Sequence, residues 1–376
     1  MSETKSDSAG WVGRRALLRG GSVAAAGAVL TAPAAPYVAR AQVPRRLRMA
    51  MPWPKGTPGV GVNAERIASM ISTMSAGRLE VEVFGAGELV PPFEVFDAVS
   101  AGTADLGHGT PYYWQGKDPA MHFFTGVPMG LTTFEHMGWL YYGGGQNLWE
   151  RVYEPFGVVP YYAGSSGPQA GGWFSREITG VDDLQGLKMR IAGLGGEVLR
   201  RLGVNVVLMP PGEIFSSLQS GAIDAAEWIG PWNDLAFGLF RIVKLYYLEP
   251  LNEIGAGLEV TVNKAVHDSL EPDLREIIKR AAMAGAAETT ADFYFHNIQS
   301  FGPLLEEEGV DLRRFPKEVI TAFAREAEIV LAELGATSDL AGEIYTSFTD
   351  YRAKCVEYMG WSDGAGLALR ETGLRT

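Results

Sequence analysis

Two segments of one stretch decide the fold: Gly186-Leu-Lys-Met-Arg-Ile-Ala-Gly-Leu-Gly-Gly196, and, after an intervening helix, Pro211-Gly-Glu-Ile-Phe-Ser-Ser-Leu-Gln-Ser-Gly-Ala-Ile-Asp-Ala-Ala-Glu-Trp-Ile-Gly-Pro-Trp232. Leu187 to Ile191 alternates like a short strand, with Arg190 at its carboxyl end. The glycines that follow open a helix running to about Leu202. A guanidinium offers a planar fork matched to a carboxylate, and free N–H groups at a following helix N-terminus favour the same charge. Glu227 ends the small-residue run Gly221 to Ala226 and is followed by Trp228. Two opposite charges thus stand at strand ends beside glycines, where open α/β sheets bind ligands. They either serve such a ligand or pair with each other.

The second segment has a counterpart upstream. Laid over Pro211–Asp224, Pro92-Phe-Glu-Val-Phe-Asp-Ala-Val-Ser-Ala-Gly-Thr-Ala-Asp105 matches at proline, Glu, Phe and Asp, with Val95/Ile214 and Val99/Leu218 alike. Each copy reads as a helix with Pro near its start, a stop at small residues, and an Asp leading into a buried strand. The repeat predicts two similar lobes. It also places His108 on Glu227, so that Gly107–Tyr113 and Glu227–Trp232 become corresponding strand ends facing a shared cleft.

Around these units the chain reads as alternating strands and helices. Leu47–Met51 is a strand, a helix follows from about Val62 to Ser75 with Ile67, Met70, Ile71 and Met74 on one face, and Leu79–Phe84 alternates as a second strand. Tyr112 to Leu131 is loop-like and aromatic, so Tyr112 and Tyr113 are candidate cleft walls. Phe134–Phe156 is helical with a break at Gly143–Gly145. Val158–Ala163 leads out of the first lobe, and its glycine-rich continuation to Gly172 carries one long polar side chain, Gln169. Lys244–Leu248 and Leu258–Asn263 are strands, the second crossing back. The remainder is helical, starting near Pro272 with Leu274, Ile277, Ile278 and Ala281 on one face, and again over Val319–Leu334.

The 376 residues provide for two domains, and 47% hydrophobic with 20% charged content is that of a globular chain. Gly13-Arg-Arg-Ala-Leu-Leu-Arg19, the apolar run Gly20–Ala35 and Val38-Ala-Arg-Ala41 read as a twin-arginine export signal cleaved after Ala41. Removing residues 1–41 takes away five cationic and two acidic side chains, so the net charge of −12 becomes −15. Nucleic acid and anionic membrane are poor partners for such a chain. Cys355 is the only cysteine, which excludes an intrachain disulfide.

No H-E-x-x-H, C-x-x-C, G-x-S-x-G or P-loop motif occurs, and five histidines with one cysteine show no transition-metal spacing. A hard cation held by oxygens of Gln169, Glu227 and backbone carbonyls stays open. Two function classes stand. One is a two-lobed receptor closing on a small carboxylate through Arg190. The other is an exported oxidoreductase using the imperfect glycine loop at 193–198, where Val198 takes the third glycine's place.

The sequence resembles the substrate-binding proteins of TRAP transporters, the DctP-type family, and most of all its 2-oxoacid and lactate-binding branch. The matching stretches are Phe84–Val90, Tyr112–Pro119, Val127–Leu131, Leu140–Gly145, Gln169–Phe174, Leu187–Ile191 and Asp224–Pro231. The resemblance implies a non-enzymatic, periplasmic protein that delivers solute to a membrane permease. The implied fold is α/β and periplasmic-binding-protein-like, two-lobed with hinge strands and bridging helices. The lobes are expected at 42–163 plus about 250–300 and at 164–249, with C-terminal helices over about 301–376 bridging them and offering a homodimer surface. Arg190 is then the carboxylate anchor, and Gln169, Glu227 and the Trp228 carbonyl hold Na⁺ or Ca²⁺ bridging to the solute. Tyr112, Tyr113 and Glu253 complete the expected solute contacts. Where that branch commonly has an Asn shortly before the Gln, this chain has Ser165 and Ser166.

Overall fold

The computed structural model describes residues 43–374; the export signal expected over residues 1–41 lies outside them. The opening β-α-β unit is β1 (Arg45–Ala50), α1 (Val60–Met74) and β2 (Leu79–Phe84). α1 buries Val60, Ala64, Ile67, Ala68 and Ile71, whereas Met74, expected on that face, is exposed in the last turn. A 3₁₀ turn at Pro92–Glu94 runs into α2 (Val95–Ser100), and β3 (Leu106–Gly109) follows. α3 (His122–Thr125), α4 (Thr133–Tyr142) and α5 (Gly145–Tyr153) lead to β4 (Val158–Ser165). Next come β5 (Gly172–Phe174), β6 (Lys188–Arg190), α6 (Gly195–Arg201) and β7 (Asn205–Val207). A second 3₁₀ turn, Pro211–Glu213, enters α7 (Ile214–Gln219), before β8 (Ala225–Ala226), α8 (Pro231–Phe237) and β9 (Leu245–Tyr247). The chain ends through β10 (Gly257–Asn263), α9 (Lys264–Ser269), α10 (Pro272–Glu306), β11 (Asp311–Arg313), α11 (Lys317–Gly335), α12 (Asp339–Trp361) and α13 (Asp363–Leu374).

Two sheets organise these elements. The first has the order β2-β1-β3-β10-β4, with β1 parallel to β2 and β3 and with β10 antiparallel to β3 and β4. The second has the order β11-β9-β5-β8-β6-β7, where β6 runs parallel to β7 and β8 and β5 is antiparallel to β8 and β9. The chain passes from the first sheet to the second between β4 and β5 and returns between β9 and β10. Gly172 closes the first passage. Its φ is +129°, and a Cβ there would lie 2.8 Å from the Ala226 carbonyl oxygen, so only glycine lets β5 approach β8.

The repeat read in the sequence is present as structure: each copy is a proline-led 3₁₀ turn, a six-residue helix and a strand. The aromatic stretch expected to be loop is more ordered than that. It folds into 3₁₀ turns at Pro111–Trp114 and Pro119–Met121 and into α3, because Tyr112, Trp114, Phe123 and Phe124 all find buried packing. α10 lies against α1 and β4 of the first sheet and against α8, while α11 packs on α6 and α12 packs on α4 and α5.

Candidate functional site

Arg190 ends β6 and pairs across the sheet with Ala226, which sets Glu227 beside it; the Glu227 N–H donates to the Arg190 carbonyl over 2.9 Å. Both side chains are 1% exposed. Arg190 Nη1 donates to Glu227 Oε2 at 3.0 Å and also to the Glu227 carbonyl oxygen, while the guanidinium stands 5.5 Å from the Trp228 ring centre. The two charges therefore do pair, as one of the two sequence readings had it. The pairing is incomplete: Arg190 Nη2 and Glu227 Oε1 are buried without a partner. Such groups cost about 1–3 kcal/mol each when left unmatched, more if charged, and so point to something that completes them.

Gln169 reaches the same place from the passage between β4 and β5. Its backbone N–H donates to the Glu253 carbonyl (2.9 Å) and its Nε2 donates to Ser166 Oγ (2.8 Å), leaving Oε1 buried and unpartnered. Glu253 is buried as well. Its Oε1 accepts a 3.4 Å hydrogen bond from Asn252 and its Oε2 has no partner. Tyr112, Tyr113, Ser166, Gln169 and Trp228 line a narrow void of ≈ 20 Å³ together with Trp53, Val60, Ile229 and Leu258. The predicted site residues Arg190, Gln169, Glu227, Trp228, Tyr112, Tyr113 and Glu253 are therefore all buried, at or beside this one void.

The electrostatics are unbalanced. Burial pushes the Glu253 carboxyl well above the usual range and the nearby Glu227 charge adds to it, while burial raises Glu227 against the opposing pull of Arg190. Burial likewise lifts the Tyr113 hydroxyl to about 12, so it stays a neutral donor. Two buried acids share one guanidinium. The unpartnered acceptors Gln169 Oε1, Glu227 Oε1 and Glu253 Oε2 are all hard oxygens, the donor set of Na⁺ or Ca²⁺ rather than of a soft or imidazole-seeking metal. No cluster of three His, Cys, Asp or Glu side chains suited to a metal occurs among the described residues.

Three expectations need correction. The N-terminus of α6 does not face the void: the Gly195 N–H donates to Asn252 Oδ1 at 3.0 Å, and Asn252 Nδ2 returns to the Ala192 carbonyl at 3.1 Å. The same side chain closes the glycine loop, since a Cβ on Gly195 would lie 2.0 Å from Asn252 Oδ1 and one on Gly193 only 2.9 Å from Glu253. The loop thus has no room for a pyrophosphate, and the oxidoreductase alternative loses its cofactor site. His108 does not share a cleft with Glu227. It is wholly buried in β3, hydrogen-bonded to Asn63 Nδ2 at 3.0 Å and edge-on to Trp53, and burial lowers its pKa to about 3. The first sheet reaches the void through Trp53, after β1, Thr110, Tyr112 and Tyr113, after β3, Ser166, directly after β4, and Leu258 in β10. Asn252 and Trp53 escaped the sequence reading because each acts through contacts distant in the chain; a tryptophan between two prolines directly after a strand was the available signal for Trp53.

Comparison with known proteins agrees with this geometry. The sequence profile of DctP, described as bacterial extracellular solute-binding protein, family 7, matches residues 49–337. A monocarboxylate 2-oxoacid-binding periplasmic protein of Nostoc sp. PCC 7120 is 41% identical over 308 residues, covering 82% of this chain and 84% of the relative. A TRAP periplasmic solute-binding protein of Pseudoalteromonas atlantica T6c, solved with bound sodium and pyruvate, superposes with a TM-score of 0.84 at 35% identity, covering 86% of this chain and 99% of that one. A TRAP solute-binding protein of Bordetella bronchiseptica RB50, a dimer with calcium and picolinate in its occupied site, superposes with a TM-score of 0.86 at 31% identity over 88% of this chain and 98% of that one.

Proposed function

Since the chain belongs to the DctP family of bacterial extracellular solute-binding proteins, we propose that it is the receptor of a TRAP transporter for a small 2-oxo or 2-hydroxy monocarboxylate, bound together with Na⁺ or Ca²⁺. The family consists of receptors, not enzymes, that hand a carboxylate to a membrane permease. One observation carries the reading of the site: a guanidinium nitrogen and three hard oxygens, all buried and without partners, belong to residues gathered at or beside one narrow void. Arg190 takes the solute carboxylate. Gln169, Glu227 and the Trp228 carbonyl hold the cation, which neutralises the surplus acid and bridges to the solute. Tyr112, Tyr113 and Glu253 face the solute's remaining oxygens, and Trp53, Val60 and Leu258 pack its short tail. Titration calorimetry with pyruvate, lactate and 2-oxoglutarate in sodium, calcium and cation-free buffers tests this. Strong binding of a monocarboxylate only with a cation supports it, and preference for the dicarboxylate overturns it.

The same reading extends to export and assembly. Residues 1–41 send the chain to the periplasm by the twin-arginine route. Lobe I comprises 42–163 and about 250–300, lobe II comprises 164–249, and the helices over about 301–376 bridge them. A homodimer through the C-terminal helices is supported by α13, which buries none of its residues and exposes Leu367, Leu369 and Leu374. Twelve residues of isolated helix are marginal in water. Beside it runs a groove of ≈ 870 Å³, lined by Phe134, Tyr294, Tyr351, Tyr358 and Met359, that suits the α13 of a second copy. Sedimentation of the full chain should give a dimer and a variant ending at residue 362 a monomer; equal masses would remove this assembly.

A further inference from the structure

Resting on that reading of the site, we propose that Ser166 is a positioning residue that selects which end of the Gln169 amide faces the cation and links that choice to the presence of solute. The two ends of a glutamine amide are alike in shape and opposite in chemistry, and only the carbonyl oxygen can ligate a cation. Gln169 Nε2 donates to Ser166 Oγ at 2.8 Å, and it is Oε1 that is left buried and free. Ser166 is itself fixed: it is 1% exposed, and its backbone N–H donates to the Ala256 carbonyl at 3.1 Å in the segment entering β10. Its neighbour is engaged elsewhere, because Ser165 Oγ bonds Thr133 Oγ1 at 2.8 Å and accepts from the Gly167 N–H.

A hydroxyl both donates and accepts, so the fate of its one proton decides the amide's direction. If Ser166 donates to Gln169 Oε1, the NH₂ end turns to the cation and repels it. If a carboxylate or keto oxygen in the void that Ser166 lines accepts the hydroxyl proton, Ser166 must accept from Nε2, and the carbonyl is held toward the cation. Solute, Ser166, Gln169 and cation then form one chain of contacts in which each ligand strengthens the other, as reciprocal coupling requires.

The test compares wild type, Ser166→Ala and Ser166→Thr. Two readouts apply: Tb³⁺ luminescence, with Ca²⁺ displacement, reads the cation without solute, and calorimetry reads pyruvate at fixed Ca²⁺. Alanine leaves a buried amide donor unmatched and should weaken both Ca²⁺ and pyruvate by roughly tenfold or more, whereas threonine keeps the hydroxyl and should restore both to within about threefold. The alanine variant should also make pyruvate affinity nearly independent of Ca²⁺. Unchanged Ca²⁺ affinity in Ser166→Ala, or equal losses in the alanine and threonine variants, would overturn the positioning role while leaving the receptor reading intact. Absence of both Tb³⁺ and Ca²⁺ binding in wild type, with and without pyruvate, would overturn the cation reading itself and this role with it.

Discussion

Arg190 holds Glu227 with Nη1 and leaves Nη2 buried and without a partner, so one side chain can serve two groups. Lysine has one nitrogen and no fork, so it cannot do both. Arg190→Lys should therefore lower affinity for a 2-oxoacid by at least about a hundredfold, the roughly 3 kcal/mol expected when a buried charge loses its partner, and circular dichroism should show the fold kept. Calorimetry returning near-native affinity would contradict the anchor. A second expectation follows from two acids sharing one guanidinium. Exhaustive chelation with removal of sodium should weaken solute binding, and Glu227→Gln should weaken solute and Ca²⁺ together; full binding in cation-free buffer would refute the bridge. Arg190 and Glu227 were legible in the sequence because each ends a strand beside glycines. Asn252 was not, since what makes it matter is a contact with Gly195, fifty-seven residues away in the chain.

Among the elements, β10 carries the feature that sequence reading passed over. At its register shift Glu259 is fully buried, accepting from Trp114 Nε1 at 2.6 Å and from Tyr153 Oη at 2.9 Å, so that it ties the strand to the turn bearing Tyr112 and Tyr113. Burial pushes its carboxyl from 4.5 up to about 8. With its folded pKa above the unfolded one, its stabilising contribution is whole below pH 4.5 and is lost as pH rises toward 8. Buried His108, His122 and His136 act in the opposite sense. Burial lowers them from 6.5 to about 3, 4 and 4, so their contribution is whole above pH 6.5 and is lost on acidification toward 4. Glu259→Gln keeps an acceptor for Trp114 and Tyr153 but cannot ionise. Its melting temperature relative to wild type should climb between pH 5 and pH 8, a trend scanning calorimetry would read directly, and a constant difference would exclude the effect. A strand's alternation says nothing of such a residue, because β10 is buried on both faces and a lone Glu there reads as a solvent-facing one. The extent of α10 was hidden for a related reason. Beyond Ala281 its buried stripe turns to Ala282, Gly285, Ala286 and Thr289, small residues that let α1 come close, so the apolar periodicity fades where the packing is tightest.

At the scale of the molecule, the repeated unit and the strands joining the two sheets were readable as a two-lobed α/β architecture. Lobes that swing together on a ligand make the particle smaller. Small-angle scattering should show a lower radius of gyration with pyruvate and Ca²⁺ than without, and no change at saturation would count against a hinged closure. The burial of Arg190, Glu227, Glu253 and Gln169, none more than 5% exposed, also governs time. A solute enclosed this way has no exit until the lobes part, so escape is a first-order event of the protein and not a competition at an open surface. If labelled pyruvate is chased with unlabelled pyruvate, its departure should proceed at one rate whatever the chaser's concentration. Such a receptor acts as a carrier whose dwell time is set by its own opening.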